Sequence, residues 1–244
     1  MDKANFDIAN YTGHKAFEQL KLCSDLYNEP LEGIFHKHGI SINSFDFKLN
    51  SDFGNSFKKL SLNKIDFQNL NYIDAFHVAT LLSQMNKLET ELCINSCIFF
   101  QIMLESTIND VANNPRDYFE TKWINFLENN NATTEDLQNF NDYLNNIYRG
   151  IRNKVVHPNN SRGLRNVEKY NFVYVYENLK KGWYVFVFLL NKIHNFNMNY
   201  QDNWTIMCNS HGLPEKINSN NFVNIEKTMF NLFKLHTDHL NKNL

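Results

Sequence analysis

The sequence predicts a predominantly helical protein, and two observations carry that reading. Residues 69–113 run almost free of glycine and proline with apolar side chains three and four apart, among them Leu81, Met85, Leu88, Leu92, Phe99, Met103 and Ile108. That spacing lines one side of an α-helix. Further on, Thr133 and Thr134 precede Glu135 and Asp136, and the stripe Leu137, Phe140, Leu144, Ile147, Ile151, Val155 then steps by three and four. A hydroxyl at such a start caps free amides, and the acids meet the positive end of the helix dipole.

The elements follow in chain order. Residues 14–28 place Phe17, Leu20, Cys23 and Leu26 at helical spacing before Pro30, and a short helix to Lys37 ends at Gly39. From Ile40 to Asn50 the alternation of Phe45, Phe47 and Leu49 with polar residues suits a strand or extended segment. The long apolar stretch forms one helix or two joined near Asn86. Pro115 starts a shorter helix with Phe119, Trp123 and Phe126 inward, and Glu128–Asn131 is a loop. The helix opened by Thr133 must end near His157, because Pro158 disfavours the α conformation for the residue before it. Asn159–Leu164 reads as a loop. Phe172–Tyr176 and Trp183–Phe188 have the local propensity of a β-hairpin, and a helix with Val167, Tyr170, Tyr174, Trp183, Val187 and Leu190 inward competes with it. Asn195–Asn221 reads as loop with a short extended piece at Trp204–Cys208, and Phe222–Leu240 as a last amphipathic helix.

A hydrophobic share of 43% fills a real core. The formal net charge of -2, from 24 basic and 26 acidic side chains, provides no global positive field for nucleic acid or a membrane surface, so an anionic partner must be met locally. The four cysteines form no paired framework, and no signal-peptide layout or uninterrupted apolar run of spanning length is seen. The expectation is a cytoplasmic protein without disulfides and without a membrane partner.

The chemistry-bearing group lies at the end of the capped helix. At about 100° per residue, Arg149, Asn153 and His157 fall on one stripe, with Arg152 beside Asn153, away from the centre of the apolar stripe. Guanidinium groups fork onto phosphate oxygens, and an imidazole exchanges protons near neutral pH, favoured in its charged form by the C-terminal end of the dipole. No acidic cluster accompanies the stripe, so neither a metal nor another cofactor is expected. Arg162 and Arg165 in the following loop extend the basic patch or are solvated surface charges.

Arg152-Asn-Lys-Val-Val-His157-Pro158 resembles the motif of HEPN superfamily ribonucleases, an Arg and a polar residue followed at short spacing by His. Phe100-Gln-Ile-Met-Leu-Glu-Ser-Thr-Ile-Asn109 is similar to the acid-containing helix that packs beside the motif helix there. The resemblance covers about half the chain and implies an all-α, HEPN-like helical bundle over residues 69–197. Residues 1–68 form an N-terminal helical or extended segment. Residues 198–244 add a C-terminal loop and helix packed on the same domain, and short strands are allowed in both extensions. It also decides 172–188 in favour of helix. The implied activity is metal-free RNA cleavage by the ribose 2′-hydroxyl, with Arg152 holding the phosphate, His157 moving the proton and Asn153 supporting the site. Arg149, Arg162 and Arg165 contact RNA, and a homodimer brings two motifs into one cleft. Such proteins act as toxins or effectors of antiviral defence, with an antitoxin or defence-system component as partner. One subgroup carries Tyr two residues after the His; Asn159 stands there, so that control is not supported.

Two readings compete. A non-catalytic HEPN-like protein would bind nucleotide or RNA or serve as a dimerisation module, and an unrelated helical interaction protein would carry Arg152 and His157 incidentally. Glu105 pairs with a motif Arg or marks the polar edge of its helix. Cys93 and Cys97, one turn apart, lack a second pair at zinc spacing and read as core. His236, Asp238 and His239 read as a solvated face, and the aromatic 14% as core packing rather than base stacking.

Overall fold

The computed structural model describes residues 3–39, 57–112, 114, 116–152 and 171–242, of which 3, 151 and 152 are described by their backbone alone. Among them the architecture is all helical: α1 Lys3–Asn28, α2 Leu31–Lys37, α3 Tyr72–Asn109, α4 Phe119–Asn129, α5 Thr134–Tyr143, a π-helical continuation Leu144–Arg152, α6 Phe172–His194, α7 Tyr200–Ser210 and α8 Ile225–Lys242. No strand occurs among the described residues. The alternating segment 40–50 lies outside them.

The chain forms two compact units that interleave in sequence, the first from Met1–Lys21 and Leu92–Lys216, the second from Leu22–Glu91 and Ile217–Leu244. In the first, Phe17 meets Trp183 edge-on with ring centroids 5.3 Å apart and Trp204 at 5.7 Å, while Phe100 packs on Tyr143 at 5.8 Å. The Ser96 hydroxyl donates to the Ala16 carbonyl at 2.8 Å, tying α3 to α1. In the second unit Tyr27 donates from its hydroxyl to the buried Glu89 carboxylate, Lys37 pairs with Asp25 at 3.1 Å, and Tyr27 meets Phe222 at 5.2 Å.

Local chemistry explains the helix ends. Thr133 accepts from the Asp136 amide at 3.1 Å, and Asp136 in turn accepts from the Thr133 amide at 2.9 Å, a capping box. Gly39, at φ 63°, follows α2 in the left-handed conformation that a side chain would disfavour. The stretch 172–188 is helical, as expected, with Val175, Leu179, Trp183 and Val187 buried and Tyr174 and Leu190 only half-buried.

One expectation is corrected. Residues 200–210 are not a loop with an extended piece but helix α7: Asn199 caps it by accepting from the Asp202 amide at 3.1 Å, and Trp204 and Cys208, four apart, share its buried side. Tertiary burial of Trp204 overrides the β propensity of that stretch. No uninterrupted apolar run of spanning length occurs in α3, yet the helix is long and apolar enough in mean composition to cross a membrane. Its most apolar window is 61% buried inside the protein, as in a core helix.

Candidate functional site

The motif helix departs from α geometry where the site begins. Beyond Tyr143 the backbone is π-helical through Arg152, so each turn takes up an extra residue and the 100° stripe drawn from the sequence does not hold there. Leu144 and Ile147 remain buried and anchor the segment. Tyr143, fully buried, donates from its hydroxyl to Gln101 Oε1 at 2.6 Å, and Gln101 donates to Glu105 Oε1 at 3.1 Å, so α3 steadies the segment at its start. Asn146 donates to Asn178 Oδ1 at 2.8 Å on α6, and Tyr148 stacks on Phe119 of α4 at 4.9 Å.

Arg149 is the one proposed site residue whose side chain is described. Its Nε donates to Glu120 Oε1 at 3.0 Å, Nη2 contacts the second Glu120 oxygen, and Nη1 donates to Asn145 Oδ1 at 2.9 Å. The hydrogen bonds that the guanidinium donates to Glu120, and the charge of that carboxylate, raise its pKa still further. Half-exposed, this fork contributes little stability, on the order of 1 kcal/mol or less. It does hold the guanidinium flat in a geometry that also fits two phosphate oxygens. Arg152 ends the π segment, and its side chain, together with Asn153, His157, Arg162 and Arg165, lies outside the described residues.

Other sequence candidates are accounted for. Cys93 and Cys97 are buried, and burial pushes the Cys97 thiol pKa well up, the state of a core thiol. His239 stacks on Tyr72 at 3.7 Å and His236 Nδ1 lies 2.9 Å from the Tyr72 carbonyl oxygen, so these rings are bound to α3. Sequence reasoning missed two features. Lys122, 8% exposed, donates to Asn109 Oδ1 at 2.7 Å beside a polar cavity bounded by Asn114, Asp117, Asn125 and Asn129. His14 and His211 bond to each other 197 residues apart, a pairing no local pattern announces.

No protein-family model, curated protein or solved structure matches this chain.

Proposed function

We propose that this protein is a metal-independent endoribonuclease of HEPN type, working as a cytoplasmic homodimer and serving as a toxin or effector of antiviral defence under control of an antitoxin or another defence component. The observation that carries the reading is the sequence Arg152–Pro158, whose first residue ends a helix that has turned from α to π after Tyr143, since π turns are frequent at functional sites. In the proposed reaction Arg152 holds a non-bridging phosphate oxygen and Asn153 supports the site. The 2′-oxygen bonds to phosphorus as the bond to the 5′-oxygen breaks. One proton leaves the 2′-hydroxyl and one reaches the departing 5′-oxygen, with His157 as donor or acceptor. Arg149, Arg162 and Arg165 bind the flanking backbone, and at Arg149 the phosphate takes the place of Glu120.

The test is incubation of wild-type, Arg152→Ala, Asn153→Ala and His157→Ala protein with total RNA in excess EDTA. Wild type cuts, leaving 2′,3′-cyclic phosphate and 5′-hydroxyl ends. Arg152→Ala and His157→Ala lose about 10²- to 10⁴-fold in rate while staying folded, and Asn153→Ala loses less. Full activity in folded His157→Ala, or magnesium-dependent cleavage with 5′-phosphate ends, refutes the assignment. The ion pair that compensates Arg149 favours a non-catalytic reading if RNA binds without being cut.

A further inference from the structure

We propose that a crevice in the first unit binds a small apolar carboxylic acid, with His14 as the group that receives its proton. The crevice is an open surface depression of about 190 Å³, with Met103, Trp183, Phe186, Leu190 and Met207 on its apolar side and His14 exposed at its rim. Its polar groups are few: Asn10, His14 and His194. An apolar concavity with a few convergent polar groups is the ordinary form of a small-molecule site, and the volume falls below the roughly 300 Å³ at which drug-sized sites begin. The ligand is therefore a short chain or a single ring. Gly13 keeps the α1 wall open, because a Cβ there would come within 2.9 Å of Met103 Sδ.

Hydrogen bonding fixes the protonation of the imidazole. His211 Nδ1 lies 3.0 Å from the Met207 carbonyl oxygen, which can only accept, so Nδ1 carries the proton. The Ser210 hydroxyl donates to that same carbonyl at 2.9 Å, leaving its oxygen, 3.0 Å from Nδ1, as a second acceptor. His211 Nε2 therefore has a lone pair, and His14 Nδ1, 3.1 Å away, donates to it. What remains on neutral His14 is an unprotonated Nε2 with no hydrogen-bond partner among the described residues.

That nitrogen selects the ligand. Among the described residues neither a carboxylate nor an ammonium lines the crevice, so a cationic head finds no counter-charge from them. A carboxylic acid gains most: its O–H bond breaks, the proton passes to His14 Nε2, and the resulting imidazolium faces a carboxylate at the exposed rim of the crevice while the ligand's apolar part meets the apolar wall, a charge-assisted pair. His211 still accepts from Nδ1–H and so supports the imidazolium. From neutral solution, where the acid is already ionised, the same bound state forms by uptake of one proton.

The experiment titrates the full chain with octanoate, phenylacetate, methyl octanoate and octylamine, following Trp183 emission with Trp183→Phe as control, and measures proton uptake calorimetrically in buffers of different ionisation enthalpy. Octanoate or phenylacetate binds saturably with about one proton taken up, which also tells chain from ring. The ester and the amine bind at least about tenfold more weakly, as expected when a charge-assisted bond is lost. His14→Phe brings the acid down to the level of the ester, and His14→Gln removes the proton uptake. Absence of saturable binding by either acid, equal binding of ester and acid, or a folded His14→Phe that keeps the preference overturns the proposal.

Discussion

The imidazole of His38 shows how one side chain ties folding to pH. Burial is the main cause of its lowered pKa and the Lys37 ammonium adds to it, against weaker opposing effects of Asp25 and Glu29. Its Nε2 is buried without a partner among the described residues. In the unfolded chain a histidine titrates near about 6.5. Below that pH the unfolded state binds a proton that the folded state refuses. The stabilisation is therefore complete above the unfolded pKa and is lost as pH falls through the lowered folded value. Thermal unfolding between pH 7.5 and 5.5 should show a steeper decline for wild type than for His38→Gln, and equal slopes would remove His38 from the account. At this scale the sequence shows residue types but not their partners. Arg149 is readable as a polar position on its helix, whereas its partner Glu120 is 29 residues away and is brought to it only by the packing of α4.

At the scale of elements, the helices with internal signals are the legible ones. Thr133 and Asp136 announce α5 through chemistry contained in four neighbouring residues, and α3 through unbroken periodicity. Helix α7 has a cap signal in Asn199, yet what settles its conformation is the burial of Trp204 against Phe17 and Tyr176, which no local window contains. The π turn after Tyr143 is hidden for a similar reason, since Leu144 and Ile147 fit an α stripe equally well. Close packing of α6 explains a residue that propensity alone makes unfavourable. Gly182 lies mid-helix, and a Cβ there would stand 2.7 Å from Tyr143 Cδ2 and 2.8 Å from Phe100 Cε1. Both rings are fully buried, and Tyr143 is also held by Gln101. Gly182→Ala gains roughly 1 kcal/mol of helix propensity but overpacks a rigid contact at a cost of about 1–3 kcal/mol. The expected net change is a loss of up to about 2 kcal/mol in denaturant unfolding, and, if the proposed ribonuclease function holds, reduced RNA cleavage, because the same tyrosine precedes the π segment. An increase in stability would mean that the rings yield freely.

The whole molecule is the scale at which the sequence is least explicit. Each unit draws on two separated stretches because α1 and α3 contribute residues to both, and a reading that cuts the chain into consecutive segments has no means of finding that interleaving. Assembly is likewise unwritten in any single element, and it bears directly on the proposed chemistry. One motif supplies a single imidazole, whereas the attack and departure steps need one proton accepted and one donated. A twofold axis brings the same surface of each protomer together, so two copies of Arg152 and His157 would complete the set and concentrate positive charge in a chain of net charge -2. Apolar surface for such a contact exists beside the motif helix: Tyr118 is 86% exposed and Ile124 37% exposed, both flanking the Glu120 that holds Arg149. The expected result is a dimer by light scattering whose activity per chain falls on dilution, with Tyr118→Ala and Ile124→Glu shifting both curves to higher concentration while leaving each chain folded. If a stable monomer cuts RNA at the full rate per chain, the shared cleft is wrong, even should Arg152 and His157 prove essential.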